Sequence, residues 1–164
     1  MDALKLQELW DAYFDCRKRK RSSIACAEFE TNEMEEVPKL HRELITDSYK
    51  IGYSDAFIIT RPKYREVFAA NFRDRVVHHF LINRTLTLFE DKFLPDAYSC
   101  REGKGTLYAV KRIQDAMKRM DDGWILKCDI ENFFMNIDKK ILLSLLRTFT
   151  KKTTKVMTWI LSGL

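Results

Sequence analysis

Leu126-Lys127-Cys128-Asp129-Ile130-Glu131-Asn132-Phe133-Phe134-Met135-Asn136-Ile137-Asp138 is the stretch on which the fold turns. From Trp124 the residues alternate in character. Trp124, Leu126, Cys128 and Ile130 share one face, and Ile125, Lys127 and Asp129 share the other, the two-residue period of a β-strand. A strand over 124–130 is therefore predicted, with the Asp129 carboxylate at its carboxyl end. A carboxylate held there by a sheet has two readings. It is a turn or cap residue, or it is a metal ligand of the kind phosphoryl transfer uses, where Mg²⁺ ions bridge attacking and leaving oxygens. Phe133 and Phe134 follow as an aromatic wall suited to lie beside a sugar. Asp138 opens a predicted helix over about 138–149, with Ile141, Leu142, Leu145 and Leu146 as its stripe. A further helical pattern begins near Thr154.

Upstream the pattern is mainly helical. A helix is predicted over 3–19 from Leu6, Leu9, Trp10, Tyr13 and Phe14. It runs into five consecutive cations, Arg17 to Arg21, read either as a phosphate-contacting patch or as a solvated helix end. A second helix is predicted over 32–47, with Asn32 as N-cap and Val37, Leu40 and Leu44 buried; His41 is placed at the edge of that stripe. Two β-type runs, 55–60 and 65–69, flank Arg61-Pro62-Lys63-Tyr64, which predicts a hairpin with Arg61, Lys63 and Arg65 near its tip. Helical spacing returns over 74–91. There His78 and His79 are about 100° apart and do not share a metal easily. Residues 95–105 read as a loop whose Gly103-Lys104-Gly105 precedes a helix capped by Thr106. Met120-Asp121-Asp122-Gly123 reads as a turn.

Composition sets the outer bounds. The chain has 164 residues, 46% hydrophobic and 32% charged, with only five glycines and three prolines. That suits one α+β domain, predominantly helical. No stretch approaches the roughly 20 apolar residues of a membrane span, and the N-terminus has no apolar signal core, so a cytoplasmic protein is expected. Cys16, Cys26, Cys100 and Cys128 have no zinc-site spacing and are read as reduced thiols. With 29 Lys and Arg against 24 Asp and Glu, the net charge is +5. The excess lies mainly within 48–119, whereas 28–47 is acidic. A basic segment of this kind suits a polyanion.

Four blocks in order resemble the reverse transcriptases of bacterial group II introns and diversity-generating retroelements. They are Arg61-Pro62-Lys63-Tyr64-Arg65-Glu66-Val67-Phe68, then Phe72-Arg73-Asp74-Arg75-Val76-Val77-His78-His79, then Ala97-Tyr98-Ser99-Cys100-Arg101-Glu102-Gly103-Lys104-Gly105-Thr106, then Lys127-Cys128-Asp129-Ile130-Glu131-Asn132-Phe133-Phe134. The resemblance spans about residues 30–150. It implies a polymerase fingers subdomain with a β-hairpin, followed by the first strand and helix of a right-hand palm. The implied division is an N-terminal helical extension at 1–27, fingers at 28–122 and the start of the palm at 123–164.

The resemblance also implies roles. Asp129 would be the first catalytic aspartate and a ligand of two Mg²⁺ ions, and the Ile130 carbonyl would join one of them. Phe134 would exclude a ribose 2′-hydroxyl. Lys63 and Arg65 would grip the incoming deoxynucleoside triphosphate. Arg75, Arg101 and Lys104 would contact template or primer. The implied partners are an RNA template, a DNA or RNA primer, the triphosphate and a small basic accessory protein; no membrane is implied. The family's second motif, aromatic-x-Asp-Asp, does not follow Asp129 here. The expectation is thus a fragment of an RNA-directed DNA polymerase, inactive by itself, with a non-catalytic RNA-binding module as the alternative. An incomplete palm sheet would leave an open edge for self-association.

Overall fold

The computed structural model describes residues 4–18 and 20–149. Arg19 and the helical pattern predicted beyond Thr154 lie outside the described residues. About half the chain is helical, and one two-stranded antiparallel sheet is present among the described residues. In chain order the elements are α1 (Leu6–Arg17), α2 (Ile24–Thr31), α3 (Glu33–Ile45), β1 (Ser54–Ile59), β2 (Arg65–Ala70), α4 (Phe72–Glu90), α5 (Thr106–Met117) and α6 (Lys139–Phe149).

The core is made by the first four helices. Helix α1 packs on α3 and α4, and α2 packs on the same two. Each contributes its stripe. Leu9, Ala12, Tyr13 and Cys16 come from α1, and Cys26 and Phe29 from α2. Val37, Leu40 and Leu44 of α3 are fully buried, and α4 adds Phe72, Val76, Val77, Phe80 and Leu81. The predicted extension at 1–27 thus supplies five of these core residues. Burying each Leu in this way contributes about 1.5–3 kcal/mol. Tyr13, Phe29 and Phe72 form an aromatic centre, with ring centroids 5.2 Å apart for Phe29–Phe72 and 5.6 Å for Tyr13–Phe29. Helix α3 runs through Pro38, which lacks the N–H an interior helical position donates, with Val37, Leu40 and Leu44 buried on either side of it.

Polar bonds fasten the helices. Arg84 of α4 grips Glu8 of α1 with two bonds of 2.9 Å, the fork geometry of a strong guanidinium–carboxylate pair. The Tyr13 hydroxyl donates to Glu33, and Arg17 pairs with Glu30. His41 bonds the Leu4 carbonyl oxygen at 2.8 Å, so this histidine ties the chain start to α3.

Several expectations are corrected. No element was predicted for 22–31, yet Ser23 caps α2 there, its hydroxyl accepting from Cys26 N–H at 3.3 Å. Asn32 does stand at the N-cap of α3, but its side chain makes no capping bond; its backbone carbonyl accepts from Glu35 and Glu36 instead. Helix α4 starts two residues before Asp74, because Asn71 is its cap. Gly105, in extended conformation, is the N-cap of α5, and Thr106 is the first helical residue. The largest correction concerns 124–130. This segment forms no β-ladder, and its alternating residues stand exposed, Trp124 fully so. Alternation prepares a strand, but only a neighbouring strand makes one, and among the described residues β1 and β2 pair with each other alone.

The four cysteines are free thiols, Cys16 and Cys26 buried and Cys100 and Cys128 exposed. No helix among the described residues is long and apolar enough to cross a membrane.

Candidate nucleic-acid and nucleotide interface

The hairpin carries three of the candidate basic side chains. Ser54 pairs with Ala70, and the register runs to Ile59 opposite Arg65, so residues 60–64 form the connection. Every residue from 51 to 66 is exposed. Arg61 and Lys63 lie in the connection and Arg65 opens β2. Among the described residues, no hydrogen bond or ion pair engages these three side chains. Both hairpin faces also carry exposed apolar groups. Phe57 lies opposite Val67 on one face, and Ile58 and Phe68 lie on the other.

A buried polar node anchors this arm. Asp74, 1% exposed, accepts the Tyr49 hydroxyl at 2.6 Å and the Gly52 N–H at 2.8 Å. Asn71 Oδ1 accepts from Asp74 N–H at 2.8 Å and so caps α4. Arg73 pairs with Glu43, donates to the Lys50 carbonyl and lies over the Tyr49 ring. The 47–53 linker and β1 are thereby fixed to the start of α4. Burial, then the bond to Asp74, push the Tyr49 phenol well above its ordinary value of 10.0. In the sequence Asp74 stands at the start of a helical pattern with no sign of its distant partners. The spacing Asn71-x-x-Asp74 resembles a helix-start signature and is the one local clue.

The other candidate cations have protein partners. Arg75 Nε donates to the Ala70 carbonyl at 2.7 Å, beside the end of β2. Arg101 is largely enclosed: Nε and Nη2 bond Glu90 at 2.9 and 2.6 Å, and Nη1 bonds the carbonyls of Leu94 and Ala97, both at 3.1 Å. Its guanidinium also lies over the Phe93 ring. Lys104 Nζ donates to the Pro95 carbonyl at 2.5 Å. Arg112 and Tyr98 converge on Asp96, whose carboxyl is held below the ordinary value of 3.8 chiefly by the Arg112 bond. These bonds shape the loop before α5.

Asp129 is exposed, and its Oδ1 accepts from the adjacent Ile130 N–H at 3.0 Å. Ile130 and Phe134 are exposed as well, and Phe134 meets Phe133 edge-on at 5.3 Å. The backbone turns at Asn132, with φ of +49°, and Asp138 then caps α6 by accepting from Lys140 and Ile141 N–H. Asp122 bonds the next N–H, of Gly123, as a turn residue does. Among the described residues, no hydrogen bond or ion pair joins the hairpin cations, the loop cations and the Asp129 segment to one another.

A pair of magnesium ions requires several oxygen donors converging on one point. Asp129 and the Ile130 carbonyl supply one carboxylate and one backbone oxygen. No group of three or more His, Cys, Asp and Glu side chains among the described residues could hold a metal ion. This donor set alone does not fit a two-ion centre.

Compared with known proteins, the sequence matches no family model and no curated protein.

Proposed function

We propose that this chain supplies the fingers and the opening of the palm of an RNA-directed DNA polymerase. The observation that carries the reading is the β1–β2 hairpin, which presents Arg61, Lys63 and Arg65 without hydrogen-bond or ion-pair partners among the described residues, on an arm rooted in the helical core. A deoxynucleoside triphosphate arrives with several negative charges, and more develops on the leaving pyrophosphate in the transition state. Preplaced cations stabilise that charge. In this reading Lys63 and Arg65 hold the triphosphate, and Phe134 stands beside the sugar and excludes a 2′-hydroxyl. Asp129 is the catalytic carboxylate. The four ordered sequence blocks support the same assignment.

A second reading, a non-catalytic RNA-binding module, is favoured by one observation: Asp129 lacks converging carboxylates among the described residues. The deciding experiment is primer extension on an RNA template by the complete polypeptide that the reading frame encodes. In the polymerase reading, Asp129→Ala abolishes synthesis and leaves RNA affinity nearly unchanged, because the carboxylate is not a phosphate contact. Synthesis that survives Asp129→Ala refutes the site assignment. No synthesis from the unaltered polypeptide, together with salt-dependent RNA binding, selects the second reading.

A further inference from the structure

Between Lys63 and Arg65 stands Tyr64, with 82% of its surface exposed. Tyr13 and Tyr49 are placed quite differently, their hydroxyls bonded to Glu33 and Asp74. Tyr64 makes no hydrogen bond and no ring contact among the described residues. Its ring covers no core, and it sits on a hairpin whose base is fixed by the Asp74 node. Cations flank it at alternate positions, Arg61, Lys63 and Arg65, with no carboxylate among the described residues paired to them.

We propose that Tyr64 stacks on an unpaired base and that the hairpin tip thereby binds single-stranded RNA, with Arg61 on the flanking phosphates and, while no triphosphate is bound, Lys63 and Arg65 there as well. The inference deepens the polymerase reading and rests on it for the choice of RNA. An aromatic face set among cations is the combination that holds single strands, because every base has a π-face and every linkage a negative charge. A duplex does not offer this contact, since its bases are already stacked on each other. An acidic peptide would satisfy the cations but leave the ring without a stacking partner.

The test uses the 164-residue chain and an end-labelled, unstructured oligouridylate, followed by fluorescence anisotropy over a range of salt. Tyr64→Ala is expected to weaken binding by about tenfold. Tyr64→Phe should keep the affinity, because stacking needs the ring and not the hydroxyl. The salt slope of Tyr64→Ala should equal that of the unaltered chain, because no phosphate contact is lost. Duplex RNA and polyglutamate should compete poorly. Undiminished binding by Tyr64→Ala overturns the proposal, as does effective competition by duplex or polyglutamate, or no binding by the unaltered chain. The two readings fail separately. RNA binding indifferent to Tyr64 sinks the stacking contact and leaves the polymerase assignment to primer extension. Tyr64-dependent binding alongside a synthesis-inactive complete polypeptide upholds the contact and sinks the polymerase.

Discussion

Replacing Asp74 by Ala should cost the chain about 3 kcal/mol. The carboxylate accepts two bonds, from the Tyr49 hydroxyl at 2.6 Å and from Gly52 N–H at 2.8 Å. Bonds to a charged group contribute about 1.5–3 kcal/mol each. Their sum is an upper bound, because Tyr49 and Gly52 lie where water can partly replace the lost acceptor. For a chain of this length, 1 kcal/mol moves the melting midpoint by about 2–4 °C, so Asp74→Ala should lower it by about 6–12 °C. Asp74→Asn keeps the shape and one acceptor oxygen. Its amide can face that oxygen to Gly52 N–H and donate to the Tyr49 oxygen, for a loss of about 1–2 kcal/mol. Urea denaturation at fixed pH, with calorimetry beside it, reads both variants. A loss below about 1 kcal/mol for Asp74→Ala would refute the claim that this node holds the hairpin base to α4.

Three further outcomes follow from the same geometry. At Gly52, an added methyl group would collide with the Asn71 amide and lie 3.3 Å from Asp74 Oδ2; Gly52→Ala should displace the α4 cap and lower stability by about 1–2 kcal/mol in the same denaturation assay. Glu8 sits below its ordinary 4.5, because the bonds from Arg84 and from Lys5 N–H outweigh the opposing effect of burial. A depressed carboxylate stabilises above its unfolded value, and that contribution disappears as pH falls through the folded one. The stability gap between the unaltered chain and Arg84→Met should accordingly be about 1 kcal/mol near neutrality and shrink as pH falls below the ordinary value of 4.5. The phenols of Tyr13 and Tyr49 are raised above 10.0, by burial first and then by their bonds to Glu33 and Asp74. A raised group loses its contribution as pH rises, so stability should decline above about pH 10, and less steeply in Tyr13→Phe.

Much of this fold is visible in local pattern. Helices α1, α3, α4, α5 and α6 announce themselves by apolar residues at three- and four-residue steps, and the hairpin by two β-type runs around Arg61–Tyr64. What depends on distant residues is not visible. Asp74 is an ordinary helix-start aspartate in sequence, because its partners Tyr49 and Gly52 are 25 and 22 residues away. Helix α2 is too short to show a stripe, and only Ser23 signals its start. The 124–130 alternation describes one strand's worth of side chains and says nothing about a partner. Among the candidate site residues, Lys63 and Arg101 look alike as cations in a chain of letters. They differ in what faces them: no hydrogen-bond or ion-pair partner among the described residues for Lys63, and for Arg101 a carboxylate, two carbonyls and an aromatic ring.

That difference supplies the most direct test of the polyanion-binding claim. The measurement is the salt dependence of single-stranded RNA affinity for the unaltered chain, for the triple variant Arg61→Gln, Lys63→Gln, Arg65→Gln, and for Arg101→Gln. Each phosphate contact contributes about 0.7 to the slope of log affinity against log salt for single strands. The triple variant should therefore flatten the slope by about 2, while Arg101→Gln lowers stability and leaves the slope of the folded chain unchanged. An unchanged slope in the triple variant, or a flattened one in Arg101→Gln, would contradict the assignment of the hairpin as the phosphate-binding surface.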